Sequence, residues 1–233
     1  MRACFDLARS AVLWLIFFFG IFTIALLYPI IRYLSPGNEE IFQYMMGFWA
    51  RMCLRCSLTR VRLIGAANIP AAGGMVIAAN HSSFIDNLVL LGELPLRFKI
   101  VASRAGFSLP FMGRVYRGAG YIPTGLRMDL SEQMKLYREL KNKRNVLIYS
   151  KLPKNSKLGE FTEAMIAAAR ETHCPIVPIS IKHAREVLPM KKFILKKGEI
   201  VVRIGEPIYV PDLKILQDKI RELYQAEEGA FRA

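Results

Sequence analysis

Between Arg9 and Arg32 no charged residue occurs, so Ser10 to Ile31 form one uninterrupted apolar stretch. At 1.5 Å per residue a helix of that length reaches ~30 Å, the thickness of a bilayer's hydrocarbon core. The stretch lacks a small-residue cleavage site and exceeds a signal-peptide core, so it reads as a retained anchor. Trp14 and Tyr28 fall near its opposite ends, where interfacial aromatics are favoured, and Pro29 is expected to bend the last turn. A second apolar segment, 41–58, carries Arg51 and Arg55 one helical turn apart, with Arg60 and Arg62 just beyond. It reads as an interfacial helix whose arginines reach phosphate headgroups; the alternative is a core helix packed on the domain. The expected organisation is therefore a membrane-anchoring segment over 1–58 (span about 10–31, interfacial helix about 41–58) and one domain over 59–233.

Charge and composition agree with that setting. A net charge of +14 accompanies 53% hydrophobic residues, with a pI near 9.8 and a mean hydropathy of +0.25. This suits a protein facing anionic lipid, and no basic repeat with stacking aromatics suggests nucleic acid. Arg2 and Arg9 before the span and Arg32 after it give little charge bias, and the strongly basic remainder favours the cytoplasmic side for the domain. Four cysteines without disulfide-like clustering point to a reducing compartment. The Cys53/Cys56 pair lacks the partners of a zinc site, so no metal is expected.

Beyond the anchor the periods change. Arg60 to Ile64, Met75 to Ala79, Phe98 to Ala102, Val146 to Tyr149, Ile176 to Ile181 and Glu199 to Ile204 read as strands. Helices are expected over Asn87 to Leu94, from Asp129 to about Lys143 with Glu132 closing a capping box, and over Phe161 to Glu171. Asp212 is expected to cap a final amphipathic helix. The alternation predicts an α/β fold, a mixed sheet flanked by helices.

The segment Asn80-His81-Ser82-Ser83-Phe84-Ile85-Asp86 follows one of these strands. A histidine and an aspartate five apart do not share a helix face, so they meet only with His81 in the loop and Asp86 in the first helical turn. A carboxylate so placed holds one imidazole nitrogen and aims the other at a hydroxyl, which makes an oriented general base. The helix start would also offer free backbone N–H groups to an anion or oxyanion. Plain N-capping by Ser83 and Asp86 accounts for part of the same pattern. No G-x-S-x-G elbow, Walker loop, dinucleotide fingerprint or H-E-x-x-H is present. His173 and His183 read as structural or surface residues.

This segment resembles the NH-x4-D signature of the glycerolipid acyltransferases, the family of bacterial 1-acylglycerol-3-phosphate acyltransferases. Leu109 to Gly113 with Arg117 to Pro123 is similar to that family's second block, Lys157 to Phe161 to the tail of its third, and Pro175 to Ile181 to its fourth. The resemblance runs from about Arg60 to Val210. It implies a membrane-bound O-acyltransferase of phospholipid biosynthesis at the bacterial inner membrane, with His81 and Asp86 catalytic. The acyl donor would be acyl-CoA or an acyl carrier protein, the default acceptor 1-acylglycerol 3-phosphate, and no cofactor is needed. Asn80, Ser83 and Gly159 are carried over as substrate-binding positions.

Two departures stand beside the matches. The family's third block carries a Pro-Glu-Gly-Thr-Arg run, whereas Ser150 to Ser156 here lack both the glutamate and the Gly-Thr-Arg. Its second block closes on Asp-Arg, where Thr124-Gly125 stand, with Arg127 displaced. Arg127, Lys151, Lys154 and Lys157 are candidates to rebuild an anion pocket, although lysine lacks arginine's bidentate fork; a solvated loop is the alternative reading. The altered block keeps another lysolipid or a hydroxylated aminolipid open as acceptor. It also supports a competing class, a non-catalytic lipid-binding member, against which the complete NH-x4-D argues.

Overall fold

The apolar stretch lies within α1 (Arg2–Leu34), a helix continuous through Pro29. The computed structural model describes residues 2–71, 73–125, 128–149, 160–190 and 192–209, together with 215, 218, 219 and 222. By its contacts the chain divides into two bodies: Met1–Arg62, Ser82–Pro123 and His183–Ile200 form the first, Leu63–His81, Thr124–Lys182 and Val201–Ala233 the second.

In the first body α1 is apolar all round, yet only one flank is covered. Arg9, Ser10, Leu13, Ile24 and Ala25 are buried, while Leu15, Phe18, Phe22, Leu26 and Ile30 are exposed. The covered flank packs on α2 (Glu39–Cys56) and on α5 (Pro110–Gly118). Aromatic pairs join α1 to these two helices: Phe19 with Trp49, Tyr28 with Phe42, and Phe22 with Phe111, ring centroids 6.0, 5.6 and 5.4 Å apart. Gly20 is required there, since a Cβ would lie 1.5 Å from the Trp49 ring. Arg9 is buried and donates from Nε to the Ser57 carbonyl at 2.8 Å and from Nη2 to that of Leu58. It thereby satisfies two carbonyls in the turn that follows α2.

α2 buries Phe42, Gln43, Met46, Ala50, Cys53 and Leu54, a stripe at helical spacing, and packs on α3 (Ile85–Glu93). The core-helix reading thus describes its inner flank, while Tyr44 and Phe48 stay exposed. Arg51 Nε donates to Gly92 O at 3.0 Å. At its N-terminal end Glu39 pairs with the buried Lys99 of β3 (Lys99–Ser103). The short α4 (Arg104–Ser108) and α5 follow β3, helices the sequence reading passed over. Gly113 lets them close up, because a Cβ there would sit 2.2 Å from Phe107 O. β4 (Ile122–Thr124) ends this stretch of chain.

The second body is built on β2 (Val76–Ala79), whose residues are all buried. It pairs in parallel with β5 (Val146–Tyr149) and with β6 (Ile176–Lys182). β7 (Glu199–Ile204) pairs antiparallel with β6, which makes the sheet mixed, and β1 (Arg60–Ile64) lies beyond β7. A strand buried on both faces reads as a continuous apolar run, as Val76 to Ala79 does. α6 (Leu130–Lys141) and α7 (Glu160–Thr172) pack together, and α6 opens on the capping box expected from Asp129 and Glu132. Parallel β2 and β5 present their C-terminal ends at one edge, with Ala79 opposite Tyr149. In open α/β sheets that edge is where ligands bind.

Candidate active site

β2 ends at Ala79, and the next two side chains diverge as strand alternation dictates. The Asn80 amide reaches β6, donating from Nδ2 to Ile181 O at 2.9 Å and accepting from Ile181 N at 2.7 Å. It extends the β2–β6 ladder by one step. His81 emerges on the other side and is exposed. Its ring stacks on that of Tyr149, centroids 4.3 Å apart and planes at 23°. Tyr149 fixes one face of the imidazole and leaves the ring edge for polar partners.

The following residues belong to the first body. Asp86 lies in the first turn of α3, fully buried. Its Oδ2 accepts from the backbone N–H of Ser82 at 2.7 Å and of Ser83 at 2.8 Å. Ser83 is also fully buried; its hydroxyl donates to the Leu188 carbonyl and accepts from Ile85 N. Asp86 N in turn donates to Ser83 O. Near this helix start the amides of Ser82, Ser83, Ile85 and Asp86 bond within the chain. Ser83 acts as a strut to Leu188, and Phe84 occupies the cap position.

Phe84 lies on Trp14 and Phe17 of α1, with ring centroids 5.2 and 5.1 Å apart. The segment carrying the carboxylate is thus seated on the long apolar helix. Sequence reasoning gave Phe84 no role, although an aromatic between two capping residues is itself unusual in a polar turn. Tyr149 and the Leu188 carbonyl were likewise missed, since neither lies near the motif in sequence.

Arg127, Lys151, Lys154, Lys157 and Gly159 lie outside the described residues, as do Ser150 to Ser156; of the helix expected after Asp212, Ile215, Asp218, Lys219 and Glu222 are described and are helical. His173 and His183 occupy left-handed turns at φ 53° and 62°. Burial pushes the Cys53 thiol up to about 12, with Cys56 adding to the effect.

Comparison with known proteins bears on this geometry. The chain is 25% identical over 163 residues to the 1-acyl-sn-glycerol-3-phosphate acyltransferase of Bacillus subtilis (strain 168), covering 69% of this chain and 80% of that protein. Its fold is similar to the crystal structure of the 1-acyl-sn-glycerophosphate (LPA) acyltransferase PlsC from Thermotoga maritima. The TM-score is 0.77 at 18% identity, over 100% of this chain and 98% of the other. The acyltransferase family model matches residues 60–182, which contain β2, the His81 loop, α3 and β6. On that match over more than half its length, the chain belongs to the acyltransferase family of enzymes.

Proposed function

We propose that this acyltransferase moves a fatty acyl group from acyl-CoA or an acyl carrier protein to the hydroxyl of a lysolipid at a membrane surface, with 1-acylglycerol 3-phosphate as the first acceptor to test. The observation that carries the reading is the buried Asp86 carboxylate, clamped by two backbone amides at the head of a helix, five residues after the exposed His81. In the proposed step His81, oriented by Asp86, takes the proton of the acceptor hydroxyl. The oxygen attacks the thioester carbonyl, and the tetrahedral intermediate collapses to the ester with loss of the thiolate. The imidazolium returns its proton to that thiolate, so the base is regenerated.

The membrane setting rests on α1. Its exposed flank of phenylalanines and leucines needs an apolar environment, and its covered flank ties that environment to the segment bearing Phe84 and Asp86. Because α1 packs on α2 and α5 along its length, a shallow seat in one leaflet fits better than an isolated perpendicular span. We place the catalytic residues on the cytoplasmic side of the membrane. The acceptor reading draws on the printed activities of the similar proteins, and the altered third block keeps other lysolipids open.

The deciding experiment supplies the purified enzyme in lipid with palmitoyl-CoA or palmitoyl carrier protein and a panel of lysolipids, with products read by mass spectrometry. Phosphatidate formed from lysophosphatidate at a rate above all other acceptors supports the reading. Transfer to a different lysolipid replaces the acceptor, and no transfer to any of them points to the non-catalytic class.

A further inference from the structure

Between α8 (Ala184–Val187) and β7 the chain makes a loop whose ends are pinned and whose tip is apolar. Leu188 and Leu195 are fully buried, and Lys196 N donates to Val187 O at 2.7 Å, closing the base. Between those anchors Met190, Phe193 and Ile194 are 49%, 67% and 53% exposed. Water alone would not reward so much apolar surface on a loop this well fastened.

The fastening leads to α1. The Trp14 indole N–H donates to Phe193 O at 2.7 Å, their rings lie 5.4 Å apart, and Leu195 N donates to Ser10 Oγ at 2.7 Å. The tip therefore continues the exposed flank of α1, whose Phe18 also stacks on Trp14. Lys192, Lys196 and Lys197 are exposed around this tip. Aromatic and aliphatic groups ringed by lysine suit an interface where rings enter the acyl region and ammonium groups stay among the headgroups. Continuity with α1 and the sign of the charge select an anionic leaflet over an acidic protein.

We infer that the 189–197 loop is a second bilayer contact, seating Met190, Phe193 and Ile194 among lipids and Lys192, Lys196 and Lys197 on anionic headgroups. The inference rests on the reading of α1 as embedded in the membrane. It also gives the loop a bearing on activity, because the Ser83 hydroxyl is held by the carbonyl of Leu188 at its start.

The test uses the full chain with Cys4 and Cys56 replaced by serine; the remaining Cys53 and Cys174 are buried. A polarity-sensitive fluorophore is attached at Ile194→Cys, and in a second protein at Phe18→Cys. Both are reconstituted into phosphatidylcholine vesicles with or without phosphatidylglycerol, with a quencher on the upper acyl chain. The expected result is quenching at both positions, and at 194 a stronger response when phosphatidylglycerol is present. Reversing Lys192, Lys196 and Lys197 to glutamate should abolish that dependence at 194 and leave 18 unchanged. Quenching at 18 without quenching at 194 overturns the loop inference alone. No quenching at either position overturns the membrane reading of α1 and the loop inference with it. A response at 194 to acyl carrier protein and not to lipid makes the loop a protein dock and also overturns the inference.

Discussion

Phe84 packs its ring on that of Trp14, 5.2 Å between centroids, and so joins the segment carrying Asp86 to the apolar helix α1. The long apolar helix and one of the proposed catalytic groups are thereby one packed unit. Phe84→Ala should lower stability by roughly 1–3 kcal/mol, less than a fully enclosed phenylalanine because the ring is half-buried. It should also reduce turnover more than Phe84→Leu, which keeps contact with Trp14. Thermal unfolding and acyl-transfer rates of both variants in the same lipid check this.

Loss of the base tests the chemistry directly. His81→Ala should slow acyl transfer by ~10²–10⁴-fold, the usual worth of a positioned general base, while membrane recovery and melting temperature stay close to wild type. An unchanged rate in the purified variant would remove His81 from the mechanism.

Asp86 has two jobs that substitutions separate. Asp86→Asn keeps an acceptor for the Ser82 and Ser83 amides but removes the charge, so activity should fall severely with a small loss of stability. Asp86→Ala orphans both amides in a buried place and should cost a further ~1–3 kcal/mol. Chemical denaturation alongside kinetics distinguishes the two.

Asn80 is expected to act through the sheet. Asn80→Asp retains the acceptor for Ile181 N but turns an oxygen toward Ile181 O, where the amide donates. Destabilisation of about 1–3 kcal/mol should follow, with rescue by neither serine nor alanine. If stability is unchanged while the acceptor KM rises, Asn80 touches substrate instead.

Deleting residues 1–58 should yield aggregated protein more than soluble domain, because α1 and α2 cover α3 and α5. High salt alone should not extract the intact chain, since apolar burial does not depend on counterions. Quantitative extraction by salt would exclude the anchor.

For the acceptor pocket, alanine at Arg127, Lys151 or Lys154 should raise the KM for lysophosphatidate more than that for the acyl donor. Arg127 is the first choice, because a guanidinium grips phosphate with two donors. Three silent variants would leave these residues a solvated loop and favour an uncharged or zwitterionic acceptor.

Strands such as Val146–Tyr149 and Glu199–Ile204 were legible residue by residue, because buried apolar runs bounded by turns have few other solutions. The stretch from Arg104 to Thr124 was not. Its helices are short, and Gly106, Pro110, Gly113 and Gly118 look like breakers until the close approaches they permit are seen. The His81 loop and the Asp86 turn followed from spacing, but the fate of the amides did not. Periodicity carries no information on which donors a carboxylate claims. Likewise α1 is apolar on every side, so which flank would be covered could not be read from hydrophobicity at all.

The bonds that fix α1 also impose an order on biosynthesis. Its Trp14 indole finds its acceptor 179 residues later in the chain, and the Ser10 hydroxyl meets Leu195 N across 185. At ~5–20 residues per second of translation, the helix waits on the order of ten to forty seconds for those partners. During that interval α2 and then α5 already cover part of α1, but Trp14 and Ser10 lack the carbonyl and amide that fasten them. Nascent chains stalled before Phe193 should therefore hold α1 more loosely than the finished protein, and protease protection of that helix should appear late.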